Sequence, residues 1–162
     1  MSPDKLKYSI DTSSLIHAWR RAYPIDNFPG FWHNLEDLFS AGHASCADEV
    51  FSELKKKDDE LFDWCKARED TVFVGFDGNQ EKHLIGIMAE FPRLVDTTKN
   101  KSGADPFVIA LALSQTPRLT VVTQEEFGKA TSPKIPNVCQ AKGIRSINLL
   151  DLISEMKWKF TR

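Results

Sequence analysis

The sequence predicts an α/β fold in which helices enclose a parallel sheet. Short runs rich in β-branched and aromatic residues, such as 71–76 and 119–123, read as buried strands. They alternate with segments whose apolar residues recur at helical spacing, the pattern of parallel strands joined by helical crossovers. A chain of 162 residues is read as one domain, 1–162, long enough to bury a core without staples.

Taken in order, Tyr8-Ser9-Ile10 is a short buried strand that delivers Asp11 to its carboxyl end. Residues 13–22 suit a helix with Leu15, Ile16 and Trp19 on one face, started by Ser13 or Thr12. Pro24 and Pro29-Gly30 mark a loop, and 31–39 form an amphipathic helix ending at Gly42. Residues 43–47 are a weakly marked strand. From 48 to 56, Val50, Phe51 and Leu54 make a helical stripe, with Glu49 and Glu53 four apart on the neighbouring face. Asp58 or Asp59 opens the next helix, which carries Leu61, Phe62, Trp64 and Cys65. Residues 71–76 are the next strand, and helical spacing returns from His83 to Phe91, stopping before Pro92. Residues 93–103 are a polar loop. Asp105-Pro106 then opens a helix that is apolar on nearly every face through Leu113. Residues 119–123 are a second strong strand. A loop with Pro133 and Pro136 follows, then a short strand at 145–148 and a closing helix at 149–158.

Composition narrows the function. Apolar residues make up 41% and charged residues 27%, ordinary values for a soluble globular chain. No apolar run approaches the roughly 18 residues that cross a bilayer, and Met1-Ser2-Pro3-Asp4-Lys5 has no apolar secretion core. A cytoplasmic protein without a membrane partner is expected. Cys46, Cys65 and Cys139 contain no Cys-x-x-Cys and read as buried free thiols. The net charge of −2 excludes a broadly basic nucleic-acid binder, but not a nuclease with an acidic, metal-filled site.

The carboxylates fall at telling places. Asp11 and Glu125 follow buried strands, Asp105 starts a buried helix, and Glu53 or Glu49 lies on a helix packed on the sheet. Strand ends of a parallel sheet share one rim, so Asp11 and Glu125 can be neighbours. Each acid also has a plain role: Asp11 or Asp105 as a helix cap, Glu125 as a first-turn acid, Glu53 as a solvated side chain. Crowded acids repel, and a divalent cation relieves that. Oxygen-only ligands suit Mg²⁺ or Mn²⁺, which can activate water and stabilise charge on a phosphodiester, so metal-dependent phosphodiester hydrolysis is the candidate chemistry.

Ser9-Ile10-Asp11-Thr12-Ser13, Val50-Phe51-Ser52-Glu53-Leu54, the stretch from Ala104-Asp105-Pro106 to Ala112, and Val121-Val122-Thr123-Gln124-Glu125 resemble the four acidic blocks of PIN domains, in the same order. The tail from Lys134 to Cys139 with Gly143-Ile144 is similar to a bacterial PIN-like subgroup described as a domain of unknown function (DUF4411-like). The resemblance implies a three-layer α/β/α sandwich with a central parallel sheet and a Mg²⁺ or Mn²⁺ ribonuclease site. By position it makes Asp11, Glu53, Asp105 and Glu125 the metal-binding and catalytic acids, supported by hydrogen bonds from Thr12 or Thr123. It further implies an RNA substrate, a protein antitoxin of the kind paired with VapC-like toxins, and a homodimer. The chain departs from the family pattern in its last block, where Glu125 stands in place of the usual Asp.

Rival sites lack support. His17, His33, His43 and His83 share no short spacing for zinc, and no serine sits in a Gly-x-Ser-x-Gly elbow. No glycine-rich phosphate loop is present. A phosphatase using a strand-end Asp would need a second Asp where Ser13 stands. A PIN-like binding module without catalysis is the alternative reading. Arg20, Arg21, Lys99, Lys101, Lys134 and Lys142 are the cations available to guide a phosphate backbone or to be solvated.

Overall fold

The computed structural model describes residues 5–95 and 103–160. Five parallel strands form the central sheet in the order β3-β2-β1-β4-β5, with β1 at Tyr8–Ile10, β2 at Ala44–Ala47, β3 at Phe73–Val74, β4 at Thr120–Val122 and β5 at Ser146–Ile147. The expected α/β sandwich with a parallel sheet between helices is the observed architecture. The chain leaves β1 for β2 on one side and later returns to pair β4 on the other. The strand order thus reverses at the β1/β4 boundary, where open α/β sheets form a crevice at their carboxyl ends.

The helices are α1 (Thr12–His17), α2 (Pro29–Ser40), α3 (Asp48–Lys57), α4 (Glu60–Lys66), α5 (Glu69–Val72), α6 (Gly78–Glu90), α7 (Asp105–Ser114), α8 (Ile135–Lys142) and α9 (Leu149–Met156). Helix α7 is the apolar one, and its Asp105, Pro106 and every residue from Val108 to Leu113 are buried. It packs across β1, β2 and β4 as well as α6 and α8. Ser9 on β1 donates a buried hydrogen bond to the Val108 carbonyl at 2.9 Å, which fixes the helix against the central strand. Elsewhere, aromatic rings join the helical layers. Trp32 packs edge-on against Trp19 and Trp64 at centroid separations of 4.9 and 5.0 Å, and Phe31 stacks on Tyr23 at 4.5 Å.

Several elements differ from expectation. The first helix passes into a π-helical segment, Ala18–Ala22, after which Tyr23 N–H reaches back to the Ala18 carbonyl at 2.8 Å. Helix α2 begins at Pro29, whose fixed φ and missing N–H suit a first helical position. The strand expected at 71–76 is only Phe73–Val74. Residues 69–72 wind into α5, and β3 is an edge strand whose two residues pair with Cys46 and Ala47. Helix α6 starts at Gly78 because the Asp77 side chain accepts the Gln80 N–H at 2.8 Å. Residues 134–142, expected as loop, are largely α8, with Pro136 in its first turn. The polar loop at 93–103 falls mostly on residues 96–102, outside the described residues.

Asp59 caps α4 as expected, and all three cysteines are free and buried. Burial pushes their thiols up, Cys65 and Cys139 to about 12, so they are poor nucleophiles. Among the described residues no helix is long and apolar enough to cross a membrane.

Truncating Ile109 or Leu111, both fully buried on α7, to Ala is expected to cost about 2–5 kcal/mol in urea unfolding. Leu150→Ala, at a side chain 65% exposed, should stay within about 0.5 kcal/mol. Equal losses at both kinds of site would contradict the placement of α7 in the core.

Candidate metal centre

Asp11 directly follows β1 and occupies the N-cap position of α1. Its side chain does not cap that helix. Instead Oδ2 accepts two hydroxyl hydrogen bonds, from Ser13 Oγ at 2.6 Å and from Thr123 Oγ1 at 2.8 Å. Each hydroxyl is itself held by a backbone N–H. Gln124 N–H donates to Ser13 Oγ at 3.2 Å, and Glu125 N–H donates to Thr123 Oγ1 at 3.1 Å. The segment after β4 is thereby stitched to the start of α1 through one carboxylate oxygen. Gln124 adds a further tie, its Oε1 accepting the Leu149 N–H of α9 at 2.8 Å.

Three acids meet there. One carboxylate oxygen from each of Asp11, Asp105 and Glu125 lies within 4.8 Å of the others, the one group of metal-ligand type and size among the described residues. Asp105 reaches the rim as the first residue of α7; the N-cap position is Ala104, so the capping role read from sequence is not the one it takes. Glu125 lies three residues beyond Val122, the last residue of β4, rather than directly after the strand. Glu53 is not in the close group. Its Oε2 accepts the Ala104 N–H at 3.4 Å, beside Asp105, and its charge acts on Asp11. Of the two α3 acids, Glu53 is therefore the one turned to the cluster.

Asp11 is 1% exposed and Asp105 4%. Burial raises the Asp11 carboxyl to about 7. The Ser13 and Thr123 hydroxyls oppose that rise, while the nearby charges of Glu125 and Glu53 add to it. Asp11 Oδ1 and Glu125 Oε2 are buried with no hydrogen-bond partner among the described residues. Two buried carboxylate oxygens without partners, beside a third acid and with no nitrogen or sulfur donor in the group, fit a hard divalent cation such as Mg²⁺ or Mn²⁺.

Of the two hydroxyls that the resemblance offers as supports, Thr123 bonds Asp11, whereas Thr12 Oγ1 is buried with no partner among the described residues. Ser13 was not foreseen as a support for Asp11. Its signal was position, two residues beyond a strand-end Asp. Among the cations, Arg20 pairs with Asp59 at 2.8 Å and Lys142 with Glu90 at 3.0 Å, while Lys99 and Lys101 lie outside the described residues.

Fold and cluster together define an α/β/α sandwich with an acidic centre at its topological switch point. The chain belongs to the family described as a domain of unknown function (DUF4411), which matches residues 8–160. Its fold is shared with a chain of VapBC2 from Rickettsia felis, solved bound to a DNA fragment from their promoter, at a TM-score of 0.55 and 13% identity over 88% of this chain and 98% of that one. A chain of DNA-bound VapBC from Salmonella typhimurium is similar at a TM-score of 0.55 and 18% identity, over 89% of this chain and 98% of that one. No curated protein sequence matches the chain.

The Asp11 shift has a signed consequence for metal-free protein. Folded Asp11 holds its proton up to about 7, whereas its ordinary value is 3.8. Between these values the folded state binds more protons than the unfolded state, so the stability it contributes is full below the ordinary value and is lost as pH rises toward 7. In EDTA the urea midpoint should therefore be lower at pH 8 than at pH 5. Asp11→Asn should flatten that difference, and added Mg²⁺ or Mn²⁺ should restore stability at pH 8. An equal pH slope in wild type and Asp11→Asn would contradict the assignment.

Proposed function

We propose that the chain, as one PIN-like domain over residues 1–162, is a Mg²⁺- or Mn²⁺-dependent ribonuclease that hydrolyses RNA phosphodiester bonds in the cytoplasm. On this reading it is the toxin of a type II toxin–antitoxin pair, restrained by a protein antitoxin. The observation that carries the reading is the meeting of Asp11, Asp105 and Glu125 at the β1/β4 crevice with buried, unpartnered oxygens on Asp11 and Glu125. The fold shared with chains of VapBC complexes supports the toxin assignment.

Asp11, Asp105 and Glu125 would hold the cation, with Glu53 adding negative charge from the next helix. When bound, the ion supplies an activated water and stabilises charge developing on the phosphodiester. The chain's own part is orientation. With Oδ2 fixed by Ser13 and Thr123, Asp11 presents Oδ1 before any ligand arrives. Thr123 gives its proton to Asp11 and accepts the N–H of Glu125, so one hydroxyl sets the position of two acids.

Purified protein with Mg²⁺ or Mn²⁺ is expected to cleave a mixed RNA pool, and the double variant Asp11→Asn/Asp105→Asn to leave it intact. Cleavage by wild type no better than by that variant would end the nuclease reading in favour of a non-catalytic binding module. Thr123→Val should reduce activity roughly 10- to 100-fold through loss of carboxylate orientation. Induced expression should arrest growth, Asp105→Asn should not, and co-expression of a neighbouring antitoxin frame should relieve the arrest; harmless wild-type expression would argue for a different cellular role.

A further inference from the structure

Beside the acid cluster lies a cavity of about 380 Å³, bounded among others by Thr123, Glu125, Phe127, Pro136, Ile147 and Asp151. Thr123 and Glu125 belong to both, so a group filling the cavity lies against the acids. Its size falls within the roughly 300–1,000 Å³ of small-ligand sites. The wall is mixed: Phe127, Pro136 and Ile147 are apolar, and Glu125, Glu126, Asn148 and Asp151 are polar.

Phe127 is 60% exposed, yet the loop that presents it is pinned. Asn137 Oδ1 accepts the N–H groups of Gly128 at 2.7 Å and of Lys134 at 2.9 Å, and Asn137 Nδ2 donates to the Gly128 carbonyl at 3.0 Å. Ser132 N–H closes the turn on the Lys129 carbonyl at 2.9 Å. A Cβ at Gly128 would collide with the Ser132 carbonyl oxygen, so the close approach requires glycine. An aromatic ring held open to solvent on a fixed loop is a pre-organised platform.

The polar wall is fixed as well. Asn148 Oδ1 accepts the Asp151 N–H at 2.9 Å, and Asp151 Oδ2 accepts the Asn148 N–H at 3.2 Å. This leaves the Asn148 amide hydrogens and Asp151 Oδ1 to address a ligand. A ring, a donor and an acceptor lining one cavity match an unpaired nucleobase, which stacks by its face and is read along its edge.

We propose that this cavity is a nucleobase subsite in which Phe127 stacks one unpaired base beside the phosphodiester at the acids, while Asn148 and Asp151 meet its edge. The proposal rests on the ribonuclease reading for the placement of the phosphodiester. Paired bases are stacked within a helix and cannot enter, so single strands are the ligand.

The test measures binding without cleavage. In an Asp11→Asn background, a fluorescent 12-nucleotide mixed-sequence RNA is titrated by anisotropy, as a single strand and annealed to its complement. Adding Phe127→Ala should weaken single-strand binding about five- to hundredfold, the range for loss of one stacked base. Phe127→Trp should retain it, and duplex binding should be weak and unaffected. Single-strand affinity within twofold after Phe127→Ala, or a duplex bound equally well, would overturn the subsite. Phe127 is exposed, and unchanged thermal unfolding confirms that its variants remain folded. Cleavage of the RNA pool by wild type is scored separately. Cleavage with no effect of Phe127→Ala sinks the subsite alone, and loss of binding without any wild-type cleavage sinks the nuclease reading alone.

Discussion

A carboxylate with almost no solvent, Asp11, is held within a few ångströms of two further acids by hydrogen bonds to only one of its oxygens. Such a group is costly in isolation, because burial and like charge both disfavour its ionised form. Folding keeps it in place through Ser13 and Thr123, whose hydroxyls are tied in turn to the backbone after β4. The same bonds that orient the carboxylate therefore join the first and fourth strands at their carboxyl ends. Stability and site geometry are coupled through one side chain, and a cation would relieve the repulsion that the fold imposes.

Topology explains why these acids can meet from positions as distant as 11 and 125. With β1 between β2 and β4, chain reversal of the strand order opens the rim at β1/β4. Helix α7 crosses the central strands, is locked to β1 by the Ser9–Val108 hydrogen bond, and brings its first residue to that rim. Glu53 arrives from α3 at greater range, touching the backbone beside Asp105 rather than the close group. The cavity lined by Thr123 and Glu125 reaches from the same rim to Asn148 and Asp151 at the start of α9.

Strong local signals were legible in the sequence: the strand before Asp11, the strand at 120–122, and the all-round apolar α7 with Asp-Pro at its start. The acids at these places lie together, because a parallel sheet puts strand ends on one rim whatever the loop lengths and α7 starts at that rim. Other features were hidden by chemistry that depends on partners. Helix α8 was obscured by Pro133 and Pro136, yet a proline in the first turn forgoes no hydrogen bond. Strand β3 was overread because edge pairing, not β-propensity, limits it to two residues. Asp11 also had a plain reading as the cap of α1; the hydroxyls of Ser13 and of Thr123, the second brought in by long-range pairing, take its side chain instead. Ser13 offered only its position two residues beyond Asp11; the Gln124 N–H that holds its hydroxyl comes from the segment after β4.

The central claim is that Asp11, Asp105 and Glu125 form a divalent-cation site. Anomalous diffraction from crystals soaked in Mn²⁺ tests it most directly. The account predicts a single strong anomalous peak among the three carboxylates, lost in Asp11→Asn crystals. Fully loaded crystals with no peak there, or with the ion bound elsewhere on the chain, would contradict it.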